Sequence, residues 1–158
     1  MHDMAISDQF YTIIDALNRK KVEYILIGGF AIVIYGFPRF TEDVDFFIRP
    51  DQENIEKLKE AFRDIYANDE SIGEIDLNML NEYAVIRYGT PDGFYVDVIT
   101  RIGTAFAYDD LQFETREVEG HIIRIATVET LIKLKSNTLR PVDAEDVYFL
   151  KTILKRNS

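Results

Sequence analysis

The stretch from Tyr24 to Ile48, YILIGGFAIVIYGFPRFTEDVDFFI, constrains the fold more than any other part of the chain. It opens with Tyr24-Ile25-Leu26-Ile27, short and β-branched enough for a buried strand. Gly28-Gly29 break that strand, and the apolar run Phe30 to Tyr35 reads as a short buried helix stopped by Gly36. Pro38 cannot continue a helix and biases Phe37 to extended geometry, so Phe37 to Thr41 is a connector. A second strand follows, Asp43-Val44-Asp45-Phe46-Phe47-Ile48. Side chains alternate along a strand, which puts Asp43 and Asp45 on one face and Val44 and Phe46 on the other.

Two neighbouring carboxylates repel unless a cation lies between them. Mg²⁺, or Mn²⁺ in its place, takes oxygen ligands and keeps positions open for phosphate oxygens. Upstream, Gly28 and Gly29 let backbone approach a ligand closely, and the helix they open points N–H groups at an anion. Acids for a metal beside such a helix start point to a nucleoside triphosphate held through its phosphates. Arg39 has the planar fork that suits phosphate, with a surface-loop arginine as the alternative. Thr41 is either a further contact or a turn hydroxyl.

The composition narrows the classes. A chain of 158 residues, 47% hydrophobic and 29% charged, fits one globular domain over 1–158. Its expected core is 22–100, with a C-terminal helical part at about 127–156. With no cysteine, disulfides and thiolate zinc sites are excluded, and the two histidines, His2 and His121, leave no room for a His-rich site. The longest uncharged run, Tyr24 to Pro38, is too short to span a bilayer and the N-terminus has no secretory pattern, so a cytoplasmic location is expected. A net charge of −10 argues against an extended nucleic-acid groove, while leaving room for a small substrate or an RNA end gripped locally.

Ser7 to Lys21 is an amphipathic helix with Ser7 as its cap and Phe10, Ile13, Ile14 and Leu17 on its apolar stripe. Asp51 caps a second helix from Gln52 to about Tyr66, with Ile55, Leu58, Ala61, Phe62 and Ile65 inward and Lys59 toward solvent. Ile75 to Leu80 is a short helix. Tyr83–Tyr88 and Phe94–Ile99 are strands of a hairpin. Asp97, alone among aromatic and β-branched residues, is costly to bury unless paired or metal-bound; the alternative is an edge strand with Asp97 facing water. Arg101 to Phe113 reads as a linker, with a short helix as the alternative. Thr115–Val118 and Ile122–Ile125 form a further hairpin with His121 as an exposed turn residue. Thr127 caps a helix reaching about Leu139, and a last helix spans about Asp143 to Lys155. Lys135 and Asp146 both fall on apolar stripes, as a buried ion pair or as a triphosphate-directed lysine supported by Asp146. The alternation of strands and helices gives an α+β (α/β two-layer) arrangement.

The strand, Gly28-Gly29, short helix and Asp43-x-Asp45, with Arg39-x-Thr41 before it, resemble the nucleotidyltransferase superfamily of the DNA polymerase β type. The likeness is greatest to its small bacterial branches: minimal nucleotidyltransferases of toxin–antitoxin and abortive-infection systems, and antibiotic nucleotidyltransferases acting on aminoglycosides or lincosamides. Many members carry Gly-Ser where this chain has Gly28-Gly29. Leu131-Ile132-x-x-Lys135 with Arg140-x-x-Asp143-x-x-Asp146 resembles the C-terminal motif of the same branches.

The resemblance implies a mixed β-sheet flanked by helices with further C-terminal helices, a third carboxylate on a later strand, which Asp97 matches, and metal-dependent transfer of a nucleoside monophosphate to a hydroxyl acceptor. Asp43, Asp45 and Asp97 would be the metal ligands and catalytic acids, Gly28, Gly29, Arg39, Thr41 and Lys135 the nucleotide contacts, and Asp146 the support of Lys135. The acceptor is a small molecule, a protein or an RNA end, and a homodimer or a toxin-like protein is an expected partner. The main alternative is a non-catalytic or weakly active nucleotide-binding, antitoxin-like protein. A structural domain with surface acids would leave Gly28-Gly29 and Asp43-x-Asp45 as coincidence.

Overall fold

The computed structural model describes residues 8–41, 43–136 and 141–157. Helix α1 (Asp8–Arg19) leads to strand β1 (Tyr24–Ile27), helix α2 (Gly28–Ile34) and strand β2 (Asp43–Ile48). Helices α3 (Gln52–Ile65) and α4 (Leu77–Tyr83) precede the hairpin β3 (Val85–Gly89) and β4 (Tyr95–Ile99). Short strands β5 (Arg101–Ile102) and β6 (Phe106–Ala107) pair with each other, where the sequence suggests a linker or a short helix. Strands β7 (Phe113–Val118) and β8 (His121–Ala126), then helices α5 (Val128–Lys135) and α6 (Pro141–Asn157), complete the chain. This is the expected α+β architecture, a mixed sheet flanked by helices.

The main sheet has the order β3-β4-β2-β1-β8-β7. Strands β1 and β2 are antiparallel, and β2 and β4 are parallel. The alternation in β2 is realised: Val44, Phe46 and Ile48 are fully buried on one face, while Asp43 and Asp45 are only half-buried on the other. On the apolar face, the Tyr24 hydroxyl donates to Asn18 of α1 at 2.8 Å and Tyr88 of β3 packs on Phe62 of α3. Helices α1 and α3 therefore cover that face; on the opposite, acid-bearing face Tyr108 lies against Phe47, and Asp43 and Asp45 stay partly exposed.

Local chemistry explains the boundaries. Asp51 caps α3 by accepting from the Asn54 N–H at 2.8 Å, and Thr127 Oγ1 caps α5 by accepting from the Thr130 N–H. The Asn54 amide, buried, bonds Glu23 N and O and Arg49 O, stapling α3 to the ends of β1 and β2. Helix α2 starts at Gly28 instead of Phe30 and packs against β1 and β2, its Phe30 stacking on Phe10 of α1. The expected cap Ser7, and Leu139 and Arg140, lie outside the described residues.

Two side chains depart from expectation. Lys59 is not solvent-facing: its side chain is largely covered, with its ammonium near Glu56, because a long aliphatic stem can lie along apolar surface while the head reaches an acid. His121 is not an exposed turn residue. It belongs to β8, stacks on Tyr11 of α1 and lies 2.8 Å from Asp15, while Glu119 and Gly120 supply the positive-φ turn.

Candidate active site

Strand pairing assembles the site. Register places Ile27 opposite Asp45, Asp45 beside Asp97, and Asp97 opposite Arg87, so one cross-strand row runs Ile27–Asp45–Asp97–Arg87 over β1, β2, β4 and β3. The adjoining row brings Asp43 beside Tyr95 and Gly89. Directly opposed cross-strand side chains lie within contact distance, so the pairing alone forces the Asp45 and Asp97 carboxylates together. Strand β4 lies between β2 and β3, and the Asp97 side chain is 13% exposed. The edge-strand alternative for Asp97 does not hold.

Ile27 ends β1 at this row and Gly28 follows at once, with φ of +74°. A Cβ at Gly28 would stand 2.2 Å from Asp45 Oδ2, so only glycine leaves space for that carboxylate. A Cβ at Gly29 would meet Thr41 Oγ1 at 2.9 Å and Arg39 Cζ at 3.5 Å. The missing side chains thus admit Asp45, Thr41 and Arg39 to the start of α2. Thr41 Oγ1 also donates to the Asp43 carbonyl at 3.2 Å, tying the connector to the first residue of β2.

The electrostatics of the row are lopsided. Burial, a hydrogen bond with Asp97, and the charges of Asp97 and Asp43 push the Asp45 carboxyl up to about 7, with Lys135 pulling the other way. The influence of Lys135 on Asp45 puts the α5 lysine within electrostatic reach of the row.

Lys135 Nζ lies 3.0 Å from both Asp143 Oδ1 and Asp146 Oδ2, and Arg39 donates to Asp146 Oδ2 at 2.6 Å. Asp146 is fully buried, and its Oδ1 has no hydrogen-bond partner among the described residues. The Lys135–Asp146 ion pair expected from the two helical stripes is present. It is part of a larger cluster that also locks the Arg39 connector onto α6, so the surface-loop alternative for Arg39 is replaced by a structural contact.

Sequence reasoning passes over Arg87. Its Nε and Nη2 donate to Asp97 Oδ1 and Oδ2 at 2.9 and 3.1 Å, and Nη2 also donates to Asp43 Oδ2 at 2.9 Å. An arginine at an exposed strand position reads as a solvated side chain, and only the β3–β4 register shows it facing Asp97.

Among the described residues, no three His, Asp or Glu side chains converge closely enough to hold a metal ion as they stand. The donor chemistry nevertheless fits a hard divalent cation: three aspartates on neighbouring strands offer only oxygen ligands, and Asp45 and Asp97 adjoin across them. The residues fit the ion by type and by strand position, with Arg87 acting as the cation among them.

This mixed sheet with an acid row beside a glycine pair is the nucleotidyltransferase fold. It is similar to the lincomycin-bound lincosamide antibiotic adenylyltransferase LnuA, with a TM-score of 0.58 at 15% identity over 94% of this chain and 99% of that one. It is likewise similar to an antigenic nucleotidyltransferase-like protein from Paracoccidioides brasiliensis, with a TM-score of 0.57 at 17% identity over 90% and 73% of the two chains. ANT(2″)-Ia, solved with adenylyl-2″-tobramycin, superposes with a TM-score of 0.54 at 16% identity over 92% and 87%. Identities this low establish the fold.

No curated protein matches the sequence. The family is set by the chain itself: residues 14–152 match the model described as "Nucleotidyl transferase AbiEii toxin, Type IV TA system". The chain belongs to that family and is a nucleotidyltransferase. None of the helices among the described residues is long and apolar enough to cross a membrane.

Proposed function

We propose that the chain transfers a nucleoside monophosphate from a nucleoside triphosphate to a hydroxyl acceptor, using the carboxylates Asp43, Asp45 and Asp97. The observation that carries the reading is the cross-strand row in which Asp45 and Asp97 adjoin, with the side-chain-free Gly28 against Asp45. Asp43, Asp45 and Asp97 would hold Mg²⁺ or Mn²⁺, which when bound supplies charge stabilisation for phosphoryl oxygens and a lowered acceptor pKa.

The chain's own groups supply the rest. The backbone N–H groups of Gly28 and Gly29, which open α2, would receive the β- and γ-phosphates. Arg39, Thr41 and Lys135 line the same side, with Asp146 holding Arg39 and Lys135 in place. The acceptor oxygen attacks the α-phosphorus, the bond to the bridging oxygen of the β-phosphate breaks, and pyrophosphate leaves. Asp97 takes the acceptor proton as general base.

The family description, a nucleotidyl transferase toxin of a type IV toxin–antitoxin system, supports a catalytic toxin over the antitoxin-like alternative, with an antitoxin as its counterpart. The acceptor is then a cellular hydroxyl whose modification slows growth. The two antibiotic-modifying structures share the fold at low identity, and an antibiotic acceptor is the second class to screen. The test is transfer from α-labelled nucleoside triphosphates to cellular RNA, protein and small-molecule fractions, by wild type and Asp45→Asn. Label transfer by wild type alone is expected. Undiminished transfer by a folded Asp45→Asn protein would overturn the proposal.

A further inference from the structure

Arg87 is bound more tightly to the acid row than a half-exposed surface arginine ordinarily is. Its guanidinium makes three hydrogen bonds, two forming a fork on Asp97 and one to Asp43. The side chain is itself 54% exposed. Apolar packing therefore contributes little to its position; the carboxylates and the Tyr95 ring, 5.4 Å from Cζ, hold it there. The oxygens it engages, both of Asp97 and one of Asp43, are those that the proposed function assigns to a divalent ion.

We propose that Arg87 is the built-in counter-ion of the acid row, and that a divalent cation binds by displacing it. The inference rests on the reading that this row binds a cation. Two physical conflicts make the occupants mutually exclusive. Both require the same carboxylate lone pairs, and a guanidinium left against a dication would be repelled. Displacement is sterically easy because Arg87 is on the outermost strand of the sheet and already half in solvent. It also spares the phosphate side of the site, since Gly28 and Gly29 lie at the other end of the row, beyond Asp45. Arg87 is in this account a positioning residue: it keeps Asp97 and Asp43 oriented without metal and sets how much metal is needed to occupy the site.

A purely structural arginine, clamping β3 to β4, predicts that its loss weakens or leaves unchanged the binding of metal. A competitor predicts the reverse. The experiment measures Mn²⁺ affinity without nucleotide, by electron paramagnetic resonance of free ion, for the full chain as wild type, Arg87→Gln, Arg87→Lys and Arg87→Ala. Arg87→Gln is expected to bind Mn²⁺ about tenfold tighter than wild type, a coupling of ordinary size between two mutually exclusive occupants. Arg87→Lys, which keeps the charge and loses the fork, falls between them. Urea midpoints supply an independent readout: Arg87→Ala is less stable than wild type without metal and regains the difference when Mn²⁺ is added. Equal or weaker Mn²⁺ binding by a folded Arg87→Gln protein overturns the displacement and leaves the proposed function standing. Absence of Mn²⁺ binding in wild type and in every Arg87 variant overturns both.

Discussion

Asp45 permits a sharp test of the row's electrostatics through the isosteric change Asp45→Asn. In the metal-free protein its carboxyl is pushed up to about 7, first by burial and then by Asp97 and Asp43, against an ordinary value of 3.8. A raised folded-state value means that the folded chain binds the proton more tightly than the unfolded chain does. The associated stability is therefore fully present below the unfolded value and is lost as pH rises through about 7. At about pH 5.5 roughly 1.5 units of the difference still act, worth about 2 kcal/mol, and at about pH 8.5 essentially none does. Asparagine is neutral throughout and loses nothing over this interval. The stability difference between Asp45→Asn and wild type should therefore move by about 2 kcal/mol in favour of the mutant between these two pH values. Urea unfolding followed by far-ultraviolet circular dichroism, in buffers stripped of divalent ions, measures it. A difference that is the same at both pH values would refute the claim that burial and the neighbouring acids raise the Asp45 carboxyl.

Further predictions concern the frame of the site. Gly28→Ala imposes a left-handed backbone on alanine and drives its Cβ onto Asp45 Oδ2, so it should lower stability by about 2 kcal/mol or more in urea titrations and abolish transfer. Asp146→Ala strips the shared partner from Arg39 and Lys135 and should cost about 3 kcal/mol, with Asp146→Asn costing less, by the same measurement. Asp51→Ala removes the α3 cap and should cost about 1 kcal/mol while leaving transfer intact, which separates general destabilisation from damage to the site.

What could be read from sequence follows from how local each feature is. Strands β1 and β2 and helix α3 are legible because short apolar runs, alternation and an aspartate cap are all written within a few neighbouring residues. Asp97 stands out because a lone acid in a β-branched strand has few inexpensive explanations. Arg87 is invisible for the opposite reason. Its meaning comes from a partner across the hairpin, and strand register cannot be read from the residue itself. His121 and Lys59 mislead in the same way, since Tyr11, Asp15 and Glu56 decide their surroundings through tertiary contacts or helical neighbours. The stretch from Arg101 to Phe113 defeats sequence reading because β5 and β6 are each only two residues long, too short to show any period.

Asp43 and Asp45, with Gly28 beside them, are proposed to form a metal-dependent triphosphate site. Thermal unfolding with each of the four nucleoside triphosphates, with and without Mg²⁺, tests it most directly on wild type and Asp43→Ala/Asp45→Ala. A ligand that binds only the folded chain adds about 2.7 kcal/mol at roughly a hundredfold excess over its dissociation constant. The account predicts an upward shift with at least one nucleotide that needs Mg²⁺ and disappears in the double mutant. A shift of equal size in the double mutant, or no shift with any nucleotide, would contradict it.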